Sequence, residues 1–190
     1  MDSAPVDSET LELLSRITGN KLEPQDVTPP LIFLSALIAI LVGVMFVDGT
    51  VTTTEKQRWQ QTIHKFISSQ HSYRQLAQQI TRGIQEHQIH RKSKYFFLLT
   101  DSLSLSERFL LVALGYEMSI ADGKIDSREE NYLTNIALEL GIRAELLDVL
   151  ESGINGDKQP TASALSEVRD LLSPSRFKAI EALFSKLPTL

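Results

Sequence analysis

The sequence predicts an all-α fold, a compact helical bundle with an internal pseudo-twofold repeat of helical hairpins. Three observations carry this. Apolar residues recur at helical spacing along most of the chain, and no segment alternates apolar and polar residues as a half-buried strand does. Capping signals open one segment after another, and Gly or Pro closes them. One short pattern also occurs twice. Val47-Asp48-Gly49-Thr50-Val51-Thr52-Thr53-Thr54-Glu55 is matched 74 positions later by Ala121-Asp122-Gly123-Lys124-Ile125-Asp126-Ser127-Arg128-Glu129. Each copy follows a long apolar run and precedes a segment of helical periodicity, the mark of a duplicated supersecondary unit.

The chain divides into an N-terminal arm, residues 1–29, and a helical domain, residues 30–190. In the arm, Ser8 to Ile17 predicts a short amphipathic helix on Leu11, Leu14 and Ile17, stopped by Gly19. Asn20 to Pro30 reads as a loop, where Thr28 suits an N-cap and Pro29 the first helical position. Leu31 to Val47 is almost wholly apolar, with no charge between Asp26 and Asp48. Gly49 is expected to end it in the left-handed conformation.

Thr52 and Glu55 form a capping box for the next helix, whose buried stripe is Trp59, Ile63, Phe66 and Ile67. Tyr73, Leu76, Ala77, Ile80 and Ile84 mark a further helix. Its exposed, Gln-rich face ends in His87, His90, Arg91, Lys92 and Lys94. Tyr95 to Leu99 is a short helix or turn. Ser104 and Glu107 make a second capping box, opening a helix through Phe109, Leu110, Val112, Ala113, Tyr116 and Ile120 to Gly123. Asp126 and Glu129 cap the helix of Leu133, Ile136, Ala137 and Leu140, which Gly141 closes. Leu146, Leu147 and Leu150 mark another. Ser152 to Thr161, with two Gly and one Pro, reads as a flexible connection. Leu165, Val168, Leu171 and Leu172 mark the next helix, and Phe177, Ile180, Leu183 and Phe184 the last, beyond Pro174.

Composition narrows the function classes. Hydrophobic content of 42% and charged content of 23% fit a globular protein. A net charge of −5 argues against a general nucleic-acid binder, which is usually basic. The absence of cysteine removes disulfides, thiolate metal sites and cysteine nucleophiles together. The first twenty residues carry Asp2, Asp7, Glu9 and Glu12 rather than a basic start and an apolar core, so no secretory signal is expected. A cytoplasmic location is the expectation. No phosphate-binding Gly-rich loop, nucleophile elbow or two-His zinc motif occurs, so enzymatic activity is not expected.

The Leu31–Val47 run poses a choice. Seventeen residues at about 1.5 Å each make a helix near the lower limit for a bilayer. A helix apolar on all sides is either lipid-embedded or central in a core. The run lacks interfacial Trp, Tyr, Lys or Arg at its ends, starts at a Pro and stops at Asp-Gly. The core helix is the expectation, equivalent to Phe109–Ala121 in the second copy. The alternative is a membrane-anchored accessory or assembly subunit, with peripheral or complex-bound membrane association.

The Asp-Gly loops look like the second half of an EF-hand, where Gly turns the chain and a closing Glu binds calcium. The first and third ligand positions, however, fall on Val44 and Phe46 in copy one and on Met118 and Ile120 in copy two, which are apolar. An ordinary EF-hand is excluded. A weaker divalent cation site remains, if the two loops meet and bring together Asp48, Glu55, Asp122 and Glu129, with Glu117 five residues before Asp122. Clustered carboxylates repel unless protonated or bound to a cation. The competing reading is that the Glu residues are capping-box partners and the Asp residues satisfy backbone donors. His87 and His90, with Glu86, have ligand spacing, but Gln, Arg and Lys surround them, so a solvated helix end is expected.

The stretch Leu105 to Ile142 resembles the TerB-like (tellurite-resistance TerB) family. It carries Ser106-Glu107-Arg108-Phe109-Leu110, Ala121-Asp122-Gly123-Lys124-Ile125 and the Glu129 that opens the next helix. Phe46 to Glu55 looks like a first copy of that signature, with Val47 in place of Ala. The resemblance covers about Pro30 to Leu150. It implies an all-helical bundle with internal pseudo-symmetry and a non-catalytic protein acting as an adaptor in stress- or envelope-linked assemblies, through protein partners not identified. It also implies a divalent metal, such as calcium, at Asp122, Glu129, Glu117, Asp48 and Glu55. Copy one has Gly43 where copy two has Glu117, and Thr52 where copy two has Asp126, so an asymmetric site weighted to copy two is implied. The N-terminal domain of a membrane-anchored J-domain co-chaperone is similar too, but the chain has no His-Pro-Asp tripeptide.

Overall fold

The structure, a computed structural model, describes residues 7–47, 49, 51, 53–67, 71–120, 126–155 and 159–184. Nine α-helices occur among them: α1 Ser8–Thr18, α2 Pro29–Phe46, α3 Thr53–Phe66, α4 His71–Glu86, α5 Ser93–Thr100, α6 Leu105–Ser119, α7 Ser127–Glu139, α8 Ala144–Asn155 and α9 Ala162–Leu171. The described residues form no strand; the pairing of Ile67 with Phe184 is an isolated bridge. The all-α prediction holds.

The helix boundaries follow from local chemistry. The Asp7 carboxylate accepts the Glu9 N–H at 3.1 Å, and Gly19, at φ +70°, stops α1. Thr28 Oγ1 accepts the Leu31 N–H at 3.4 Å, with Pro29 at the first position of α2. The Ser104–Glu107 box is complete, with Ser104 N–H donating to Glu107 at 2.8 Å and Glu107 N–H to Ser104 Oγ at 3.3 Å. Gly49 adopts φ +84°, as its place after α2 requires. The Thr52–Glu55 box rests on Thr52 and the Glu55 side chain, which lie outside the described residues.

α2 is the axis of the bundle. Every residue from Leu31 to Met45 is buried, and the helix touches α1, α3, α4, α5, α6 and α7. This surround explains why its sequence has no polar face: there is no side on which water waits. Each fully buried Leu or Ile contributes roughly 1.5–3 kcal/mol, so α2 is the largest contributor to the core. α6 is its main partner in the second half, with Phe109, Leu110, Leu111 and Leu114 buried. α3 also touches α6, and α2 touches α7. The second Asp-Gly loop, residues 121–125, lies outside the described residues, so the superposition of the two loops is not described.

Residues expected as an N-terminal arm carry α1, whose Leu13, Leu14 and Ile17 join the same core. The approach to α4 is very close: a Cβ on Gly83 would lie 2.0 Å from the Ile17 carbonyl oxygen. Three local expectations need correction. α6 stops at Ser119 rather than running to Gly123. α8 continues through Ser152 to Asn155, into the segment read as a flexible connection. The last helix is instead a pair of 3-10 turns, Pro174–Phe177 and Glu181–Leu183, because Pro174 sets a tight turn. Phe177, Ile180, Leu183 and Phe184 are buried as expected, and Phe33 meets Phe184 edge-to-face at 5.8 Å. On α9, Leu165 is exposed, while Ala164, Val168 and Leu171 face inward.

Candidate functional site

The residues proposed as metal ligands separate into three groups. Asp48 and Asp122 lie outside the described residues. Glu55 sits in the first turn of α3, with its side chain outside the described residues. Glu117 and Glu129 are described. Glu117 is half-buried in the last turn of α6. Glu129 is third in α7 and completes a capping box: its carboxylate accepts the Asp126 N–H at 3.4 Å. Asp126 accepts the Arg128 N–H at 2.8 Å and its Nε–H at 3.1 Å. These two hydrogen bonds hold the Asp126 carboxyl below its ordinary pKa. Among the described residues no group of three or more His, Cys, Asp or Glu comes together. Glu129 therefore does the capping work expected of its position, and any cation site depends on the loop residues beyond the description.

A second polar cluster ties α6, α7 and α8. Tyr116, fully buried, donates its hydroxyl to Glu151 at 3.1 Å, which leaves the Thr134 hydroxyl, 3.4 Å away, to donate to Tyr116. Burial, followed by the nearby Glu151 charge, pushes the Tyr116 phenol up to about 12 despite the Thr134 hydrogen bond. Apolar spacing puts Tyr116 in the core and gives no sign of Glu151. No single-helix pattern marks three polar groups that meet from three helices.

A third arrangement lies where α2 ends. The 3-10 turn Ile89–Arg91 follows Gln88, whose φ of +51° breaks the helical path after α4. The break turns His90 inward, to 7% exposure, and corrects the expectation of a solvated helix end. Its ring stacks on Phe46, with centroids 5.4 Å apart and planes at 30°. Neither ring nitrogen makes a hydrogen bond. Burial and the Arg91 charge lower the His90 pKa; the Ile84 carbonyl, near but outside bonding geometry, offsets this in part. Across from it, Tyr132 of α7 reaches α2 with its hydroxyl buried and unpartnered. Gly43 makes room: a Cβ there would lie 1.8 Å from Tyr132 Oη. Burial, and then the Glu139 charge, raise the Tyr132 phenol far above its ordinary range. An open recess of about 520 Å³ lies against Gly43, Phe46, Val47, His90, Arg91 and Tyr132.

The neighbouring cations are dispersed rather than pooled. Lys94 pairs with Glu9 of α1 at 2.8 Å, and Lys92 lies over the Tyr95 ring, 5.6 Å from its centroid. Both partners of the Lys94–Glu9 pair are largely exposed, so its contribution is small.

The family model described as tellurite resistance protein TerB matches residues 34–150, from α2 through most of α8. No curated protein and no solved structure matches the chain.

Proposed function

The chain belongs to the TerB family, and from that premise we propose that it is a non-catalytic, cytoplasmic adaptor that docks a protein partner. The observation that carries this reading is on the surface. Phe97 of α5 and Leu138 of α7 are 64% and 53% exposed. Phe97 lines a shallow cleft between the two helices, together with Phe96, Lys94, Glu139 and Leu140. Large exposed side chains beside a cleft with flanking charge are what a partner's apolar anchor uses.

The test is affinity capture from native lysate with the wild-type chain and with Phe97→Ser. A partner held by the wild type and lost by the variant, at unchanged melting temperature, supports the adaptor reading. Identical sets of captured proteins would refute this surface as the docking site.

A divalent cation at the Asp-Gly loops is the second part of the proposal. It would draw on Glu117 and Glu129, joined by Asp48, Asp122 and Glu55. The membrane-anchored alternative is favoured by one fact: α2 is long and apolar enough, by length and composition, to cross a bilayer. Its burial, 83% over that window, matches a core helix instead. Carbonate extraction separates the two, since an anchored chain stays with the membrane pellet.

A further inference from the structure

Of the five buried side-chain polar atoms without a hydrogen-bond partner among the described residues, three belong to residues that line one recess. They are both ring nitrogens of His90 and Tyr132 Oη, in the wall of the recess at the end of α2. Buried polar groups almost always find partners, so such a concentration calls for a physical reason. The wall is rich in donors. Tyr132 Oη–H donates, a neutral imidazole donates through one nitrogen and accepts at the other, an imidazolium donates through both, and the exposed Arg91 guanidinium at the rim donates and is cationic. None of the described lining residues is a carboxylate. The remaining described lining is apolar at Phe46 and Val47, with bare backbone at Gly43 and Gly49.

We propose that this recess binds a small organic carboxylate, its anionic group on Arg91, His90 and Tyr132 and its hydrocarbon body against Phe46 and Val47. The orphaned atoms are themselves closed off from water: the Phe46 ring stacks on His90, and Tyr132 Oη lies against Gly43 of α2. Phe46 is only half-buried, so it can turn aside as the ligand enters. A bound anion supplies the acceptor that both buried side chains lack, and it favours the charged form of His90. Arg91 opposes that charge from the same turn, and Glu139, seven residues beyond Tyr132 on α7, is the acidic charge among the described residues that acts on Tyr132.

The probe is benzoate, with neutral benzamide and inorganic phosphate as comparators, titrated into the full chain. The readout is the His90 ring resonance in proton–carbon NMR, assigned with His90→Gln. Benzoate is expected to shift His90 saturably and to raise its titration midpoint. Arg91→Gln and Tyr132→Phe, which remove an exposed charge and one hydroxyl, should each weaken benzoate by about tenfold or more, as loss of a charge-assisted hydrogen bond does. Absence of saturation overturns the proposal, as does equal binding of benzamide or wild-type affinity in both variants. Phosphate binding as tightly as benzoate would overturn the assignment of a hydrocarbon body.

Discussion

Replacing Gly43 by Ala separates two opposing effects whose sizes can be stated beforehand. In a helix interior, Ala is favoured over Gly by about 0.8–1 kcal/mol. Against this, the new Cβ would lie 1.8 Å from Tyr132 Oη, 2.3 Å from Cζ and 3.0 Å from Cε1. Three atoms of one rigid ring are involved, so the ring must move as a whole, and overpacking of this kind costs about 1–3 kcal/mol. Gly43→Ala should therefore be neutral to destabilising by about 2 kcal/mol, the difference between those terms. Tyr132→Leu removes all three clashing atoms. In that background Gly43→Ala should become stabilising, by up to about 1 kcal/mol. Urea denaturation of the four proteins, followed by circular dichroism, gives the coupling, expected at about 1–3 kcal/mol. A coupling below about 0.5 kcal/mol, the additivity limit for independent sites, would show that Tyr132 does not rest on α2.

Further outcomes follow from the core, the buried imidazole and the acidic loops. Leu37→Asp should yield no folded protein by circular dichroism and gel filtration, because Leu37 is 1% exposed and an unpaired buried charge costs several kcal/mol, whereas Leu37→Met should fold. His90 has a folded-state pKa below its unfolded value of 6.5, so the unfolded chain binds more protons near that pH. Stability should fall as pH drops through and below that value, and His90→Leu should flatten this part of the melting profile; an unchanged slope in the variant would exclude His90 as its source. For the cation, millimolar calcium should raise the melting temperature, by mass action on the folded state, and Glu129→Gln should abolish the rise. Indifference to calcium, magnesium, manganese and zinc would remove the metal and leave Glu129 as a cap, whose replacement by Ala costs about 0.5–2 kcal/mol if capping substitutions are the guide.

Helices were legible because their signals are local. Thr28-Pro29, Ser104 with Glu107, and Asp126 with Glu129 each place a start within one turn, and the structure uses all three. The core position of α2 was legible for a different reason: a run without a polar face and without interfacial anchors needs a protein surround. Less legible were helix ends set by tertiary packing. Leu165 fits the helical stripe of α9 yet lies outward, because Ala164 and Val168 already fill the face toward the core. Beyond Pro174 the apolar spacing reads as a helix, but two 3-10 turns and the residues flanking them bury the same side chains.

The site was hidden by the same locality. Periodicity carried α4 through His90 and so placed the imidazole beside Arg91 and Lys92 in water. One residue, Gln88 at positive φ, redirects the chain, and nothing in its side chain announces that conformation. Gly43 was read as the position where copy one lacks the Glu117 of copy two. In the fold its lack of a side chain has a positive use, admitting the Tyr132 ring from a helix about ninety residues away in sequence. Glu117 stands 74 positions later on α6, whereas on α2 the bare Gly43 lies in the same recess wall as Phe46, His90 and Tyr132. A spacing rule that compares one residue with its counterpart in a repeat cannot register this use of Gly43, because the ring that fills the space comes from another helix.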